Sequence, residues 1–172
     1  RLLHSEQNAK QLQQALKEAQ LEAITDQLTG LLNRKGMEKK IAHLEVENDK
    51  FAIIMVDIDF FKKINDDNGH LLGDRVLRQF GQVIKNTVRG DDLSIRFGGE
   101  EFLIILPSTS IAGASKVAQN IQAKISKMAW KNRKTGDTIG PVTMSFGIAQ
   151  RNNGEIWNDQ IQLADQALYH AK

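Results

Sequence analysis

The sequence has no cysteine, which excludes disulfide bonds and thiolate metal sites. This absence suits a reducing cytoplasm, and we expect a soluble cytoplasmic domain. No apolar run approaches the roughly 20 residues that a membrane-spanning helix needs, and the N-terminal residues lack the apolar segment of a signal peptide. The net charge of only +2 argues against nucleic acid as a partner, because phosphate tracking requires clustered lysine and arginine.

Within these limits, the composition is that of one folded domain. The chain has 172 residues, of which 41% are hydrophobic, enough to supply a single core. We expect it to be a fragment of a longer protein, since it begins in mid-helix without a methionine. Whether the full-length protein is anchored to a membrane is left open by the sequence.

Residues 1–25 contain no glycine or proline and are rich in helix-forming residues, so they predict a helix. Small or apolar residues recur at heptad positions, which favours a narrow coiled-coil seam that pairs two chains. The alternative is a surface helix packed on its own domain. In the first interpretation the helix is a signalling stalk between an upstream sensory or receiver domain and a domain at 26–172. The heptad residues are Leu2, Ser5, Ala9, Leu12, Leu16, Ala19 and Ala23.

From residue 51 to 149 the hydrophobic patterns alternate between strand and helix periods. Their order is β-α-β-β-α-β, which predicts an α+β, ferredoxin-like palm with an antiparallel-rich sheet and helices on one face. The predicted strands are 51–57, two around residues 98 and 99, and 141–149. The predicted helices are 35–47, 60–66, 73–88, 111–128 and 158–171.

The most informative stretch is the pair Gly98-Gly99 followed by Glu100 and Glu101. A Gly-Gly step between two apolar runs predicts a tight hairpin, and glycine lets a bulky ligand approach the backbone. Asp57 ends the first buried strand, and this topology brings it next to the hairpin. Paired carboxylates favour Mg²⁺ with a polyphosphate ligand. The alternative is a solvated rim of acidic side chains.

Six stretches in the same order together resemble the GGDEF domain family, whose members are diguanylate cyclases. They cover nearly everything after residue 25. They are Asp26-Gln-Leu-Thr-Gly-Leu-Leu-Asn-Arg34, Asp57-Ile-Asp-Phe-Phe-Lys-Lys-Ile-Asn-Asp66, Gly69-His-Leu-Leu-Gly-Asp74, Arg96-Phe-Gly-Gly-Glu-Glu-Phe102, Ser145-Phe-Gly-Ile-Ala149 and Ala164-Asp-Gln-Ala-Leu-Tyr-His-Ala-Lys172.

The resemblance implies that two GTP molecules condense to cyclic di-GMP and two pyrophosphates across a homodimer. It assigns Mg²⁺, with Mn²⁺ as a substitute and two ions in each active site, to the side chains of Asp57 and Glu100 and the carbonyl of Ile58. Glu100 is also the implied general base, and Glu101 assists at the metal. Two lysines are implied to contact phosphates, Lys62 in the transition state and Lys172 at the terminal phosphates.

The same resemblance places the guanine base against Asn65 and Asp74, with His70 near the base or ribose and Gly98 and Gly99 close to the substrate. A carboxylate and an amide can accept from N1–H and N2–H of guanine, which adenine lacks. Taken alone, Asn65 also fits a turn and Asp74 a helix N-cap. Lys62 and His70 alone are equally compatible with ordinary solvated or structural side chains.

Arg89 and Asp92 match the position of the family's product-inhibition site, where cyclic di-GMP is implied to bind. Arginine can bond the O6 and N7 edge of guanine, and aspartate can accept from N1–H and N2–H. A bare Arg-x-x-Asp carries no information of its own, because two charges in a polar loop are commonly solvated.

Two departures from the family pattern stand out. Glu100 occupies a position where the family name has aspartate, which preserves the carboxylate. The family also continues past Lys172 to an arginine that contacts phosphate. The alternatives left open are an inactive receptor for GTP or cyclic di-GMP, a dimerisation module with a vestigial pocket, and another nucleotidyl cyclase or polymerase-like palm.

Overall fold

The computed structural model describes residues 2–47 and 49–172. Within these residues, six helices and six strands follow one another along the chain. They are α1 (Leu2–Ile24), α2 (Arg34–Glu47), β1 (Lys50–Ile58), α3 (Phe61–Asn68), α4 (His70–Thr87), β2 (Leu93–Arg96), β3 (Glu101–Pro107), α5 (Ile111–Ser126), β4 (Trp130–Lys131), β5 (Thr138–Ile139), β6 (Met144–Asn152) and α6 (Trp157–Ala171).

The main sheet has the strand order β2-β3-β1-β6, and all neighbouring strands are antiparallel. Without the short β4–β5 hairpin, the chain order is the predicted β-α-β-β-α-β pattern of a ferredoxin-like palm. Strand β1 lies in the middle and pairs with β3 on one side and β6 on the other. The end of β1 is therefore flanked by one residue from each neighbouring strand.

The helices within residues 51–149, which are α3, α4 and α5, pack on one face of the sheet as predicted. Helices α2 and α6, which lie outside that range, cover the other face. This fits β1, whose continuous apolar run sends alternate side chains to opposite faces. One core contains Ala52, Ile54 and Val56 together with apolar residues of α4 and α5. The other contains Ile53 and Met55 together with residues of α2 and α6.

Several element boundaries differ from the sequence prediction, among them the start of α4, which begins at His70 rather than Gly73. The last main strand begins at Met144 rather than at Pro141, because its pairing with β1 starts where Met144 lies opposite Ile58. The Gly98-Gly99 pair does not form a two-residue hairpin. Strand β2 ends at Arg96 and β3 begins at Glu101, so four residues connect them, and neither glycine has a positive φ.

Helix α1 buries none of its described residues, and its leucines are strongly exposed, for example Leu12 at 74%. This exposure argues against the surface helix packed on its own domain. The end of α1 is nevertheless fixed: Asn33 donates from its backbone N–H to the carbonyl of Ile24 at 2.9 Å and from Nδ2 to Ala23 at 3.0 Å. None of the helices formed by the described residues is long and apolar enough to span a membrane.

Candidate active site

Acidic residues converge at the end of β1. Asp57 is only 7% exposed and lies opposite Glu101 of β3 and Ser145 of β6. The backbone N–H of Ile58 donates to the carbonyl of Glu100 at 3.2 Å. The sheet therefore brings Asp57 and the two glutamates together where β1 ends and β3 begins, as the predicted topology requires. We call this end of the strands the acidic edge.

A lysine already interacts with this acidic edge. Nζ of Lys172, which follows α6, donates to Oδ1 of Asp57 at 2.9 Å. Burial lowers the pKa of Lys172, but the hydrogen bond and the charge of Asp57, with Asp59 and Glu100 nearby, raise it overall. The edge thus attracts a positive charge, which is the behaviour expected of a cation site.

Both glutamates have a raised pKa. For Glu100 the main cause is burial, followed by the negative charge of Asp57, while Lys172 acts in the opposite direction. For Glu101 burial again comes first, followed by the charges of Asp165 and Asp57. Because each charged form is disfavoured by burial and by like charges, a cation bound here would stabilise the ionised glutamates.

Asp59 is held rigidly beside this edge, a role that the sequence did not reveal although Asp59 lies within one of the matched stretches. Its carboxylate accepts from Oγ of Ser145 at 2.6 Å and from Oγ1 of Thr143 at 2.7 Å. The next residue, Phe60, adopts the left-handed conformation with a φ of 55° and remains exposed. This backbone turn redirects the chain from β1 into α3.

Lys62 lies in the first turn of α3, is exposed and has no hydrogen-bond or ion-pair partner among the described residues. Nearby, a cavity of about 360 Å³ is lined by Asp59, Phe60, Ser145 and Lys172, among others. The ammonium group of Lys172 and the fixed carboxylate of Asp59 thus border the same space next to Asp57. Such a space is suited to a metal-bound polyphosphate.

Asn65 is the clearest candidate for base recognition. Its Oδ1 is buried without a hydrogen-bond partner among the described residues. A Cβ on Gly73 of α4 would overlap this oxygen, so the glycine leaves room for the Asn65 side chain.

Asp74, the next residue of α4, is half-buried, whereas His70 at the start of that helix is exposed. Helix α4 begins at His70 and Asn65 lies inside α3, so the N-cap and turn interpretations were wrong.

The loop carrying Glu100 is braced from outside the sheet. Arg96 donates from Nη1 to Oδ1 of Asp26 at 3.1 Å and from Nη2 to the carbonyl of Gly99 at 2.9 Å. Arg34 donates from Nε to the carbonyl of Phe97 at 2.8 Å and lies over its ring at 3.9 Å. Asp26 and Arg34, both in the first of the six matched stretches, therefore fix the loop of residues 97–100. Sequence reasoning had not assigned this role to that stretch.

Each glycine of this loop has its own environment. A Cβ on Gly98 would lie 2.5 Å from Oε2 of Glu101, so glycine there avoids a collision within the protein. A Cβ on Gly99 would meet no protein atom within 4 Å. Gly99 is therefore open to approach by a ligand, as its predicted contact with substrate requires.

Arg89 and Asp92 lie together in the turn before β2. The backbone N–H of Arg89 donates to Oδ2 of Asp92 at 2.8 Å, and the N–H of Asp92 donates to the carbonyl of Arg89 at 2.9 Å. Burial raises the pKa of the Asp92 carboxyl, against the hydrogen bond from Arg89. The Arg89 side chain is exposed and forms no hydrogen bond or ion pair with the described residues, although its charge acts on Asp92, so its guanidinium donors are available to a ligand.

Comparison with known proteins agrees with this architecture. The family described as diguanylate cyclase, GGDEF domain, matches residues 23–172. The diguanylate cyclase VdcA of Vibrio cholerae is 35% identical over 161 residues, which cover 94% of this chain and 48% of VdcA. The response regulator PleD of Caulobacter vibrioides is 39% identical over 155 residues, covering 87% of this chain and 34% of PleD. The chain thus spans about half or less of these relatives.

Solved structures extend the comparison to the N-terminal helix. The crystal structure of the coiled coil and GGDEF domain of DgcB from Caulobacter crescentus, in complex with c-di-GMP, aligns with a TM-score of 0.89 at 32% identity. The alignment covers 98% of this chain and 91% of that structure. With a family match that spans most of its length, this chain belongs to the GGDEF domain family of diguanylate cyclases.

Proposed function

We propose that the chain condenses two GTP molecules into cyclic di-GMP and two pyrophosphates. The observation that carries this proposal is the meeting of Asp57 and the Glu100 loop at the ends of neighbouring strands, next to Lys172. Phosphoryl transfer depends mainly on positioning and charge neutralisation, and this edge offers carboxylates for cations and ammonium groups for phosphates.

The donors at this edge fit a hard divalent cation, which members of this family generally need. Asp57 and Glu100 supply carboxylates and Ile58 a backbone carbonyl, which are the oxygen ligands that Mg²⁺ prefers. The described residues contain no cluster of three or more acidic, histidine or cysteine side chains that could hold a metal alone. Substrate phosphates and water would complete the shell of Mg²⁺ or Mn²⁺, with two ions in each site, and bound cations would neutralise charge on the reacting phosphate.

The other side chains have roles that follow from their positions. Glu100 takes the proton from the 3′-hydroxyl of GTP, whose oxygen forms a bond to the α-phosphorus of the second GTP as pyrophosphate leaves. Glu101 assists at the metal. Lys62 and Lys172 bind phosphate oxygens, and Lys172 must leave Asp57 to do so.

Guanine binds between α3 and α4. The unpaired Oδ1 of Asn65 and the carboxylate of Asp74 accept from N2–H and N1–H of the base. His70 lies at the rim, near the ribose. A buried acceptor such as Oδ1 of Asn65 should discriminate strongly between guanine and adenine, because bound adenine would leave that oxygen without a hydrogen bond.

Each chain holds one GTP, so the reaction requires two chains face to face. We propose that residues 1–25 form the coiled-coil stalk of a homodimer and that residues 26–172 form the catalytic domain, with an upstream sensory or receiver domain controlling the stalk. The exposed leucines of α1 support this, since an unpaired helix would leave them in water. The similarity to the DgcB coiled coil adds further support.

Cyclic di-GMP also binds Arg89 and Asp92 as an inhibitor in this proposal. The exposed guanidinium of Arg89 is free to bond the O6 and N7 edge of guanine, while Asp92 accepts from N1–H and N2–H. The presence of c-di-GMP in the DgcB structure supports product binding in this family. Product inhibition predicts a progress curve that slows before GTP is exhausted, and Arg89→Ala should make that curve linear for longer.

The decisive experiment incubates the chain with Mg²⁺ and each of the four nucleoside triphosphates and separates the products. We expect cyclic di-GMP from GTP alone, with Glu100→Gln abolishing it. Glu38→Gln, an exposed glutamate of α2, is the matched control and should retain full activity. Tight GTP binding without product in the unsubstituted chain would refute the cyclase and favour a receptor.

A further inference from the structure

A basic groove lies between α4 and the β4–β5 hairpin. A cavity of about 420 Å³ is lined by Arg75 and Arg78 of α4 and by Arg133 and Lys134 of the hairpin loop, among other residues. A second cavity of about 360 Å³ shares Arg75 and Arg133 and reaches Trp130. Asn65 and Asp74 line neither cavity, whereas His70 lines the first, so the groove borders the proposed guanine site without including its base-binding residues.

The positive charge of the groove is not neutralised by the protein. No carboxylate lines either cavity, and within the described part of the chain none of the four basic side chains forms an ion pair. Arg75 donates from Nη1 to the carbonyl of Lys131 at 2.9 Å, which fixes its position but leaves its charge uncompensated. Neighbouring cations repel one another, so an anion bound among them would be stabilised.

The hairpin loop that carries two of these cations is preformed. Asn132 is buried, and its Oδ1 accepts from the backbone N–H of Lys134 at 3.0 Å and of Thr135 at 3.4 Å. Its own N–H donates to the carbonyl of Asp137 at 2.8 Å. These bonds fix the backbone at Arg133 and Lys134, so a ligand would not have to order the loop.

Trp130 supplies an independent sign of a missing partner. The residue is 3% exposed, and its indole N–H has no hydrogen-bond partner among the described residues. Buried donors in native proteins are usually paired, so an unpaired one calls for an explanation. Trp130 lines the second cavity, so a ligand in the groove would lie against this side chain, and a small shift of the ring would bring its buried N–H to an acceptor atom of the ligand.

We propose that this groove binds a small phosphorylated molecule. Its phosphate oxygens are held by Arg78, Arg133 and Lys134, since guanidinium groups bind phosphate in bidentate fashion. Another acceptor atom of the ligand pairs with the indole N–H of Trp130. Cavities of this size and concavity accommodate small ligands rather than an extended polymer or a flat membrane surface. The site does not depend on the proposed cyclase activity.

The test is a titration of the ¹⁵N-labelled chain with inorganic pyrophosphate in the presence of EDTA, followed by NMR. The two indole N–H signals are the readout, and Trp157→Phe assigns them. We expect the Trp130 signal to shift saturably and the Trp157 signal to stay in place, since the latter indole donates to Glu45. Arg78→Gln combined with Arg133→Gln should weaken binding by more than about tenfold.

The matched control is Lys39→Gln with Lys40→Gln, which removes the same charge from exposed positions of α2 and should leave the affinity unchanged. If the double arginine variant does not fold, Arg133→Gln alone at the exposed loop serves the same purpose. An immobile Trp130 signal at saturating pyrophosphate would overturn the proposal, as would equal weakening in the control. Shifts confined to α3, near Lys62, would place the anion at the active site and also count against it.

Discussion

Nζ of Lys172 lies 2.9 Å from Oδ1 of Asp57, so a side chain of this protein holds the carboxylate at which the proposed metal would bind. The Asp57 side chain is 11% exposed, whereas that of Lys172 is 40% exposed and can swing into solvent. Partly exposed ion pairs contribute only about 0.2–1 kcal/mol. A divalent cation can therefore displace the lysine, which is then free to contact phosphate.

Lys172→Met should tighten binding of Mn²⁺ in the absence of nucleotide, because it removes the competing ammonium group. The expected gain is about two- to fivefold, from the strength of a partly exposed ion pair. Electron paramagnetic resonance of free Mn²⁺ measures it directly. Lys116→Met, an exposed lysine of α5, should leave the affinity unchanged. If Lys172→Met instead weakens Mn²⁺ binding, Lys172 does not compete for this site.

Asp26→Asn should destabilise the fold in a pH-dependent way. Burial raises the pKa of Asp26, but hydrogen bonds from Thr29 and the charge of Arg96 outweigh it and lower the pKa below its usual 3.8. A lowered pKa means that the ionised carboxylate stabilises the fold at pH values above 3.8 and that this contribution is lost as the pH falls through the folded-state pKa.

We therefore expect Asp26→Asn to cost about 1–3 kcal/mol of unfolding free energy at neutral pH. Well below pH 3.8 the variant and the unsubstituted protein should become equally stable. Urea unfolding at both pH values measures the difference. Asp137→Asn, at an exposed position, is the control and should change stability little at either pH. A loss that persists unchanged in acid would show that the Asp26 charge contributes nothing.

The large elements of the fold were predictable because each carries a strong local pattern. The apolar run of β1 and the 3.6-residue period of α4 are long enough to read from the sequence. The β4–β5 hairpin was not predicted, since strands of only two residues carry no period. The helices of residues 51–149 share one face as predicted, whereas the covering of the other face by α2 and α6 was not predicted, although the burial expected for both faces of β1 implies it.

Part of the site was also predictable. Asp57 and Glu100 were expected to meet. Asp57 lies at the end of the first strand and Glu100 lies at the hairpin, and the topology places this strand and the hairpin side by side. The ion pair of Lys172 with Asp57 joins residues 115 positions apart, and that of Arg96 with Asp26 joins residues 70 apart. A single sequence contains no signal that pairs such distant charges, because their contact depends on where two separate elements pack in three dimensions.

Gly147→Ala should destabilise the protein strongly. A Cβ at Gly147 of β6 would overlap the carbonyl of Ala164 and the backbone N–H of Leu168, both in α6. Backbone atoms cannot rotate away, so α6 would have to move, at a cost of about 1–3 kcal/mol or more. Thermal unfolding tests this, with Gly140→Ala as the control since a Cβ there meets nothing within 4 Å.

The same substitution should also weaken the contact between Lys172 and Asp57, because Lys172 follows the displaced helix. Mn²⁺ binding to Gly147→Ala should then approach that of Lys172→Met. A variant as stable as the unsubstituted protein would show that α6 can shift at little cost. In that case the close approach of α6 to Gly147 is not a constraint on the position of Lys172.

Gly73→Ala should impair GTP recognition without harming the fold. The added Cβ would overlap Oδ1 of Asn65, which is the end of a flexible side chain and can rotate away. Alanine is also favoured over glycine inside a helix by about 0.5–1 kcal/mol, so stability should hold or improve. Displacing the acceptor should raise KM for GTP by about tenfold and reduce the preference for GTP over ATP.

Steady-state kinetics with Gly140→Ala as the control, where a Cβ meets no atom within 4 Å, isolates this effect. A double-mutant cycle with Asn65→Ala then tests its cause. Once the asparagine side chain is gone, Gly73→Ala should have no further effect on KM, because the group it displaces is absent. If Gly73→Ala raises KM equally in both backgrounds, the glycine acts on the substrate directly rather than through Asn65.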